Sequence, residues 1–134
     1  MQIDRIDHFV LTVASVEATC AFYARVLGMR VETFRPGDGT ERRALCFGSQ
    51  KINLHQAGAE FEPKAATPRP GSGDFCLITA MPPAAVLAHL AREGVAVDLG
   101  PVPRTGAMGP LVSVYFRDPD GNLVEVSSQS LPAD

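Results

Sequence analysis

The stretch that decides the fold is residues 3–34, IDRIDHFVLTVASVEATCAFYARVLGMRVETF. Its opening part, residues 3–13, carries Phe9, Val10, Leu11 and Val13 in a run rich in strand formers, as a half-buried strand should. Ser15 then offers a side-chain oxygen to the free amides of a helix start. Behind it Val16, Cys20, Tyr23 and Leu27 recur at helical spacing, and Gly28 supplies the left-handed residue that stops the helix. Arg30–Phe34 returns to strand character, so the chain opens β-α-β.

Outward from this stretch, Arg42–Phe47 and Lys51–Gln56 read as two more strands. A Pro/Gly/Asp turn precedes the first and Gly48-Ser49 separates them. The first half is therefore β-α-β-β-β. Residues 58–73 carry Pro63, Pro68 and Pro70 between glycines and read as a connector, because proline removes ladder donors. The order then repeats. Asp74–Thr79 is strand-like, and Pro82-Pro83 opens a helix with Val86, Leu87, Leu90 and Ala91 on one side and Gly94 at its end. Val95–Leu99, Val112–Phe116 and Leu123–Ser127 follow as strands, the last two joined by Asp118-Pro119-Asp120-Gly121. The expectation is an α+β fold in one domain spanning residues 1–134: module 1 over 3–57, connector 58–73, module 2 over 74–129, each module βαβββ. An α+β sandwich with the same elements in another order is the alternative.

Composition narrows the function. Hydrophobic residues make up 46% and charged residues 20%, a globular balance. A net charge of -3, with Lys and Arg scattered, argues against a nucleic-acid-binding face. No membrane span or signal peptide is legible, so the expected location is the cytoplasm. Cys20, Cys46 and Cys76 lack CxxC spacing and each sits in an apolar run, which predicts buried structural thiols rather than disulfides or a zinc cluster.

Three ligand-type residues interrupt apolar strands: His8 in the first, His55 in the fourth and Glu125 in the last. Side chains alternate along a strand, so each can leave the packed layer for a common concavity. Two imidazoles and a carboxylate suit a divalent first-row metal with positions left for water or substrate. The plain alternative is two hydrogen-bonded histidines and a solvent-facing glutamate.

The segments DHFVLTV, AFYARVLGMRV, KINLHQ and FRDPDGNLVEV resemble the signature pieces of the vicinal oxygen chelate superfamily, which includes glyoxalases, bleomycin-resistance proteins and dioxygenases. The likeness runs through nearly the whole chain and is closest to a glyoxalase-domain and bacterial virulence-associated subgroup, through INLHQAG (52–58) and EFEPKA (60–65). It implies two βαβββ modules forming a cup-shaped sheet around a metal, with His8 and Glu125 as ligands and Glu125 as the catalytic carboxylate. Asn53 is the nearest match to the usual fourth-strand glutamate, with His55 two residues on. Asp74 stands where a histidine usually opens the second module. The reading SxY before FxDPDG is similar to fosfomycin-resistance proteins and implies that Ser113 and Tyr115 contact substrate, with Lys64, Arg104 and Arg117 as nearby cations. No Arg or Lys follows Glu125, and His89 reads as an exposed helix residue.

The implied function is an enzyme using Zn, Ni, Mn or Fe as a Lewis acid on a small substrate with vicinal oxygens, in glyoxalase-like lyase or isomerase chemistry. An Fe(II) ring-cleaving dioxygenase using the two histidines and a carboxylate is one alternative. A metal-free drug- or metabolite-binding protein is the other, which the absence of Trp and the presence of two Tyr make less apt. The resemblance further implies a homodimer whose sites are shared between chains.

Overall fold

The computed structural model describes residues 1–129. The chain divides into two compact units, the first ending at Gly71 and the second starting at Ser72. The first unit contains β1 (His8–Val13), α1 (Val16–Leu27), β2 (Arg30–Phe34), β3 (Arg42–Phe47) and β4 (Gln50–Gln56). Its sheet order is β1-β4-β3-β2, with β1 parallel to β4 and the other pairs antiparallel. The second unit contains β5 (Asp74–Ile78), α2 (Pro83–Arg92), β6 (Val97–Gly106), β7 (Gly109–Arg117) and β8 (Leu123–Gln129). Its order is β5-β8-β7-β6, again with the first strand parallel to the last. The fold is α+β, built from two βαβββ modules of one topology, each a four-stranded mixed sheet. A parallel pair cannot be closed by a hairpin, so the elements between β1 and β4, or β5 and β8, form the necessary crossover.

Local chemistry explains the helices. Ser15 Oγ accepts from the Ala18 amide at 3.1 Å, and Gly28 ends α1 at φ 65° with its amide donating to the Ala24 carbonyl at 3.1 Å. One face of α1 buries Cys20, Tyr23 and Val26. It packs on β2, β3 and β4, whose inward residues include Leu45, Ile52 and Leu54. In the second unit α2 buries Val86 and Leu90 beside β6, β7 and β8. There Val114 pairs with Val126 and Phe116 with Val124, all buried. Each such side chain contributes roughly 1.5–3 kcal/mol by leaving water.

Three features depart from the sequence reading. β1 starts at His8, not at residue 3, because the register begins at His8 opposite Lys51 and β4 offers little beyond it. β6 runs to Gly106 through Pro101 and Pro103 and pairs with β7 up to Gly106 and Gly109, where a strand ending at Leu99 was expected. It lies at the sheet edge, where a missing amide donor is tolerated, and two register shifts absorb the bends. The thiols also differ. All three are free, but whereas Cys20 is buried, Cys46 is half-buried and Cys76 exposed. Alternation explains Cys76, because its flanking residues Phe75 and Leu77 take the packed face and turn it to the other side.

The DPDGN turn fixes the start of β8. Asp118 Oδ1 accepts from the amides of Asp120 and Asn122 at 2.9 and 3.0 Å, and Asn122 Oδ1 accepts from the Gly73 amide at 2.7 Å. That last bond ties the entry of β5 to the entry of β8. Among the described residues no helix is long and apolar enough to cross a membrane.

Candidate functional site

In each unit one sheet face carries the helix and the other is helix-free. On the helix-free face of the second unit the register sets Cys76 and Tyr115 on either side of Glu125, and Ser113 beside Ser127. Two serine hydroxyls converge on one oxygen of Glu125. Ser113 Oγ donates to its Oε2 at 2.6 Å, and Ser127 Oγ lies 3.3 Å from the same atom. The two serine oxygens are 2.6 Å apart, and Cys76 Sγ is 3.1 Å from Ser127 Oγ. Ser113 and Ser127 are fully buried, so their hydroxyls serve the carboxylate rather than the surface. Although Cys76 is exposed as a residue, partial desolvation of its sulfur raises the thiol pKa, and Glu125 adds to the shift.

A concavity of about 530 Å³ opens over this face, lined by Asp74, Asp98, Leu99, Arg104, Tyr115, Arg117, Leu123 and Glu125. That volume suits a small ligand. Arg117 is committed, since its Nε donates to Asp98 Oδ2 at 2.8 Å and Nη1 to the Gly121 carbonyl at 3.2 Å. Arg104 donates through Nε to the Tyr115 hydroxyl at 2.9 Å and through Nη1 to the Pro103 carbonyl at 3.1 Å. Its guanidinium also sits 5.5 Å from the Tyr115 ring centre. Among the described residues no carboxylate pairs with Arg104, and no cation pairs with Asp74 or Glu125.

The helix-free face of the first unit carries His8, Asn53 and His55. His8 Nδ1 lies 2.8 Å from Asp7 Oδ1, which leaves Nε2 as the ring's outward nitrogen. His55 is 6% exposed and meets the edge of Phe61, centroids 5.3 Å apart, while the Arg42 guanidinium stacks 4.0 Å above Phe61. Burial pulls the His55 pKa below its ordinary value; Arg42 adds to the shift and Glu60 opposes it. Two buried polar atoms here lack hydrogen-bond partners, Asn53 Oδ1 and His55 Nδ1.

The repeated topology makes the two faces comparable. Asn53 pairs with Val10 and Glu125 with Cys76, each two residues after His8 and Asp74 respectively. Asn53 thus holds in the first unit the position of Glu125 in the second, and His8 that of Asp74. His55 matches Ser127 instead. It lies four residues along β4 from Lys51, the register partner of His8, a rise of roughly 13 Å against about 7 Å for Asn53. The structure thus groups Asp74, Arg104, Arg117, Tyr115 and Glu125 around one concavity, with Ser113 beneath. Lys64, in the first unit, stands 3.4 Å from Glu62. His89 lies in the last turn of α2. Among the described residues no three His, Cys, Asp or Glu side chains form a metal-holding group. The sequence reading missed Ser127, Asp98 and Leu99. Ser127 was legible, since it stands two residues after Glu125 on the same strand face.

The chain matches, over residues 5–126, the family model described as the Glyoxalase/Bleomycin resistance protein/Dioxygenase superfamily. It is 53% identical over 127 residues to virulence protein STM3117 of Salmonella typhimurium, covering 95% of this chain and 85% of that protein. The crystal structure of STM3117 superposes with a TM-score of 0.92, covering 97% of this chain and all of that one. Glyoxalase domain-containing protein RDO1 of Mycosarcoma maydis is 51% identical over 128 residues, 96% of this chain and 70% of its own length. TnmS3, an antibiotic-binding protein from a Streptomyces species, is 26% identical, with a TM-score of 0.74 over 97% of this chain and 99% of that one.

Proposed function

The chain belongs to the glyoxalase/bleomycin resistance protein/dioxygenase superfamily, and we propose that within it the protein is a metal-dependent enzyme acting on a small substrate with two neighbouring oxygens. The observation that carries this reading is Glu125: a carboxylate clamped through Oε2 by Ser113 at the wall of a ligand-sized concavity. The donor chemistry fits a divalent cation. His8 has Nδ1 tied to a carboxylate, the arrangement that presents Nε2 to a metal. Asn53 Oδ1 is a buried acceptor without a donor, and Asp74 adds a second unpaired carboxylate. One nitrogen and several oxygens suit Mn or Fe(II) better than a thiolate-loving ion.

When bound, such an ion supplies Lewis acidity toward paired oxygens of the substrate. The protein's own groups do the rest. Ser113 and Ser127 hold the Glu125 carboxylate in one orientation, and Leu99 and Leu123 give the concavity apolar walls. In this reading Ser113 acts as a support for Glu125.

The test is metal content after purification without chelator. We expect about one divalent ion per chain, with His8→Ala and Glu125→Gln each losing stoichiometric metal while circular dichroism stays unchanged. Full occupancy in either variant removes that residue from the ligand set. The likeness to TnmS3 supports a second reading, sequestration of a small molecule without turnover. Protein that binds its ligand equally well with and without metal would favour it.

A further inference from the structure

We infer that the ligand of the second unit's concavity carries an anionic group, a carboxylate or a phosphate, received by Arg104 and the Tyr115 hydroxyl. This rests on reading the concavity as the substrate site, but not on the metal. The argument begins with charge. Three acidic and two basic residues line the concavity, and Arg117 with Asp98 neutralise one another at 2.8 Å. What is left is polarised: Arg104 without a carboxylate partner, and Asp74 and Glu125 without a cation, among the described residues.

The guanidinium is also pre-positioned. Its Nε and Nη1 are spent on the Tyr115 hydroxyl and the Pro103 carbonyl, which fixes the plane and leaves Nη2 to donate. Tyr115 accepts from Arg104 through its oxygen, so its own proton is available to a second acceptor. A guanidinium N–H and a phenol O–H side by side form a donor pair for two oxygens of one anionic group. Because the side chain is already ordered, little rotamer freedom is lost when the anion arrives. Leu99 and Leu123 accommodate a short carbon body. Asp74 and Glu125 repel a second anionic group, so the ligand is charged at one end and presents neutral or cation-bridged oxygens at the other.

The experiment uses the full chain after chelator treatment and three probes: lactate, inorganic phosphate and the neutral isostere lactamide. The backbone amides of Leu99 and Tyr115 are followed by NMR during titration. Lactate or phosphate should shift them saturably at millimolar concentration, and lactamide should not. Arg104 is exposed, so Arg104→Ala should fold normally and weaken binding roughly tenfold. Tyr115→Phe should weaken it by less, since it removes one of the two donors. A response to phosphate alone sets the class as phosphate, and to lactate alone as carboxylate. Equal responses in wild type and Arg104→Ala, or lactamide acting like lactate, would overturn the inference. The protein is metal-free throughout, so such a failure leaves the metal measurements untouched.

Discussion

His55 shows how far a single residue can be read from its spacing and where environment takes over. A histidine within an apolar strand is a natural ligand candidate, but the register sets it roughly 13 Å along the sheet from His8, while Asn53 lies nearer. What the sequence could not show is that Phe61 folds back over the imidazole and Arg42 stacks on Phe61. Burial and Arg42 both disfavour the imidazolium, with Glu60 in partial opposition. The folded pKa is thus below the unfolded value of about 6.5, so the unfolded chain binds the extra proton first. The stability contributed by neutral His55 is present above about pH 6.5 and is lost as pH falls through that value toward the folded pKa. Thermal midpoints measured between about pH 7.5 and 5 should fall toward acid, and His55→Gln should flatten that slope. An unchanged slope in the variant would assign the acid sensitivity to other groups.

At the scale of elements, the two βαβββ modules were legible because periodicity changes sharply where they change. Val16, Cys20, Tyr23 and Leu27 mark α1, and Gly28 ends it at φ 65°. β6 was not legible beyond Leu99, because Gly100, Pro101 and Pro103 read as breakers to anyone who cannot see that the strand lies at an edge. Its glycine is a structural requirement. Gly100 has φ 118°, and a Cβ there would stand 2.5 Å from the Ser113 carbonyl oxygen and 3.0 Å from Val114 Cα. Backbone cannot yield as a side chain would. Gly100→Ala should therefore destabilise the fold by about 3 kcal/mol or more, combining a forbidden φ with a backbone clash. It should also push β6 off β7 and displace Leu99 and Arg104 from the concavity. Urea denaturation measures the first effect and anion titration the second. A variant with wild-type stability would show that β6 relaxes freely, and the ordered placement of Arg104 would lose its basis.

At the scale of the whole molecule, the proposal to test is that a site is shared between two chains. His8 and Asn53 belong to the first unit and Asp74 and Glu125 to the second. Several apolar side chains argue for a partner: Val10, Ile78 and Leu99 leave 44%, 57% and 47% of their surface exposed. A homodimer would cover such surface. The prediction can be made decisive by mixing two dead variants. In a hybrid of His8→Ala with Glu125→Gln chains, a shared site combines the intact His8 of one chain with the intact Glu125 of the other, so one complete site returns. If each site is built within one chain, every site in the hybrid lacks one residue. We expect partial recovery of metal binding, up to about half a site per hybrid chain, after subunit exchange has been verified by mass-tagged chains. A monomer by light scattering at micromolar concentration, or no recovery in verified hybrids, would place the site within single chains and leave the metal proposal to its own test.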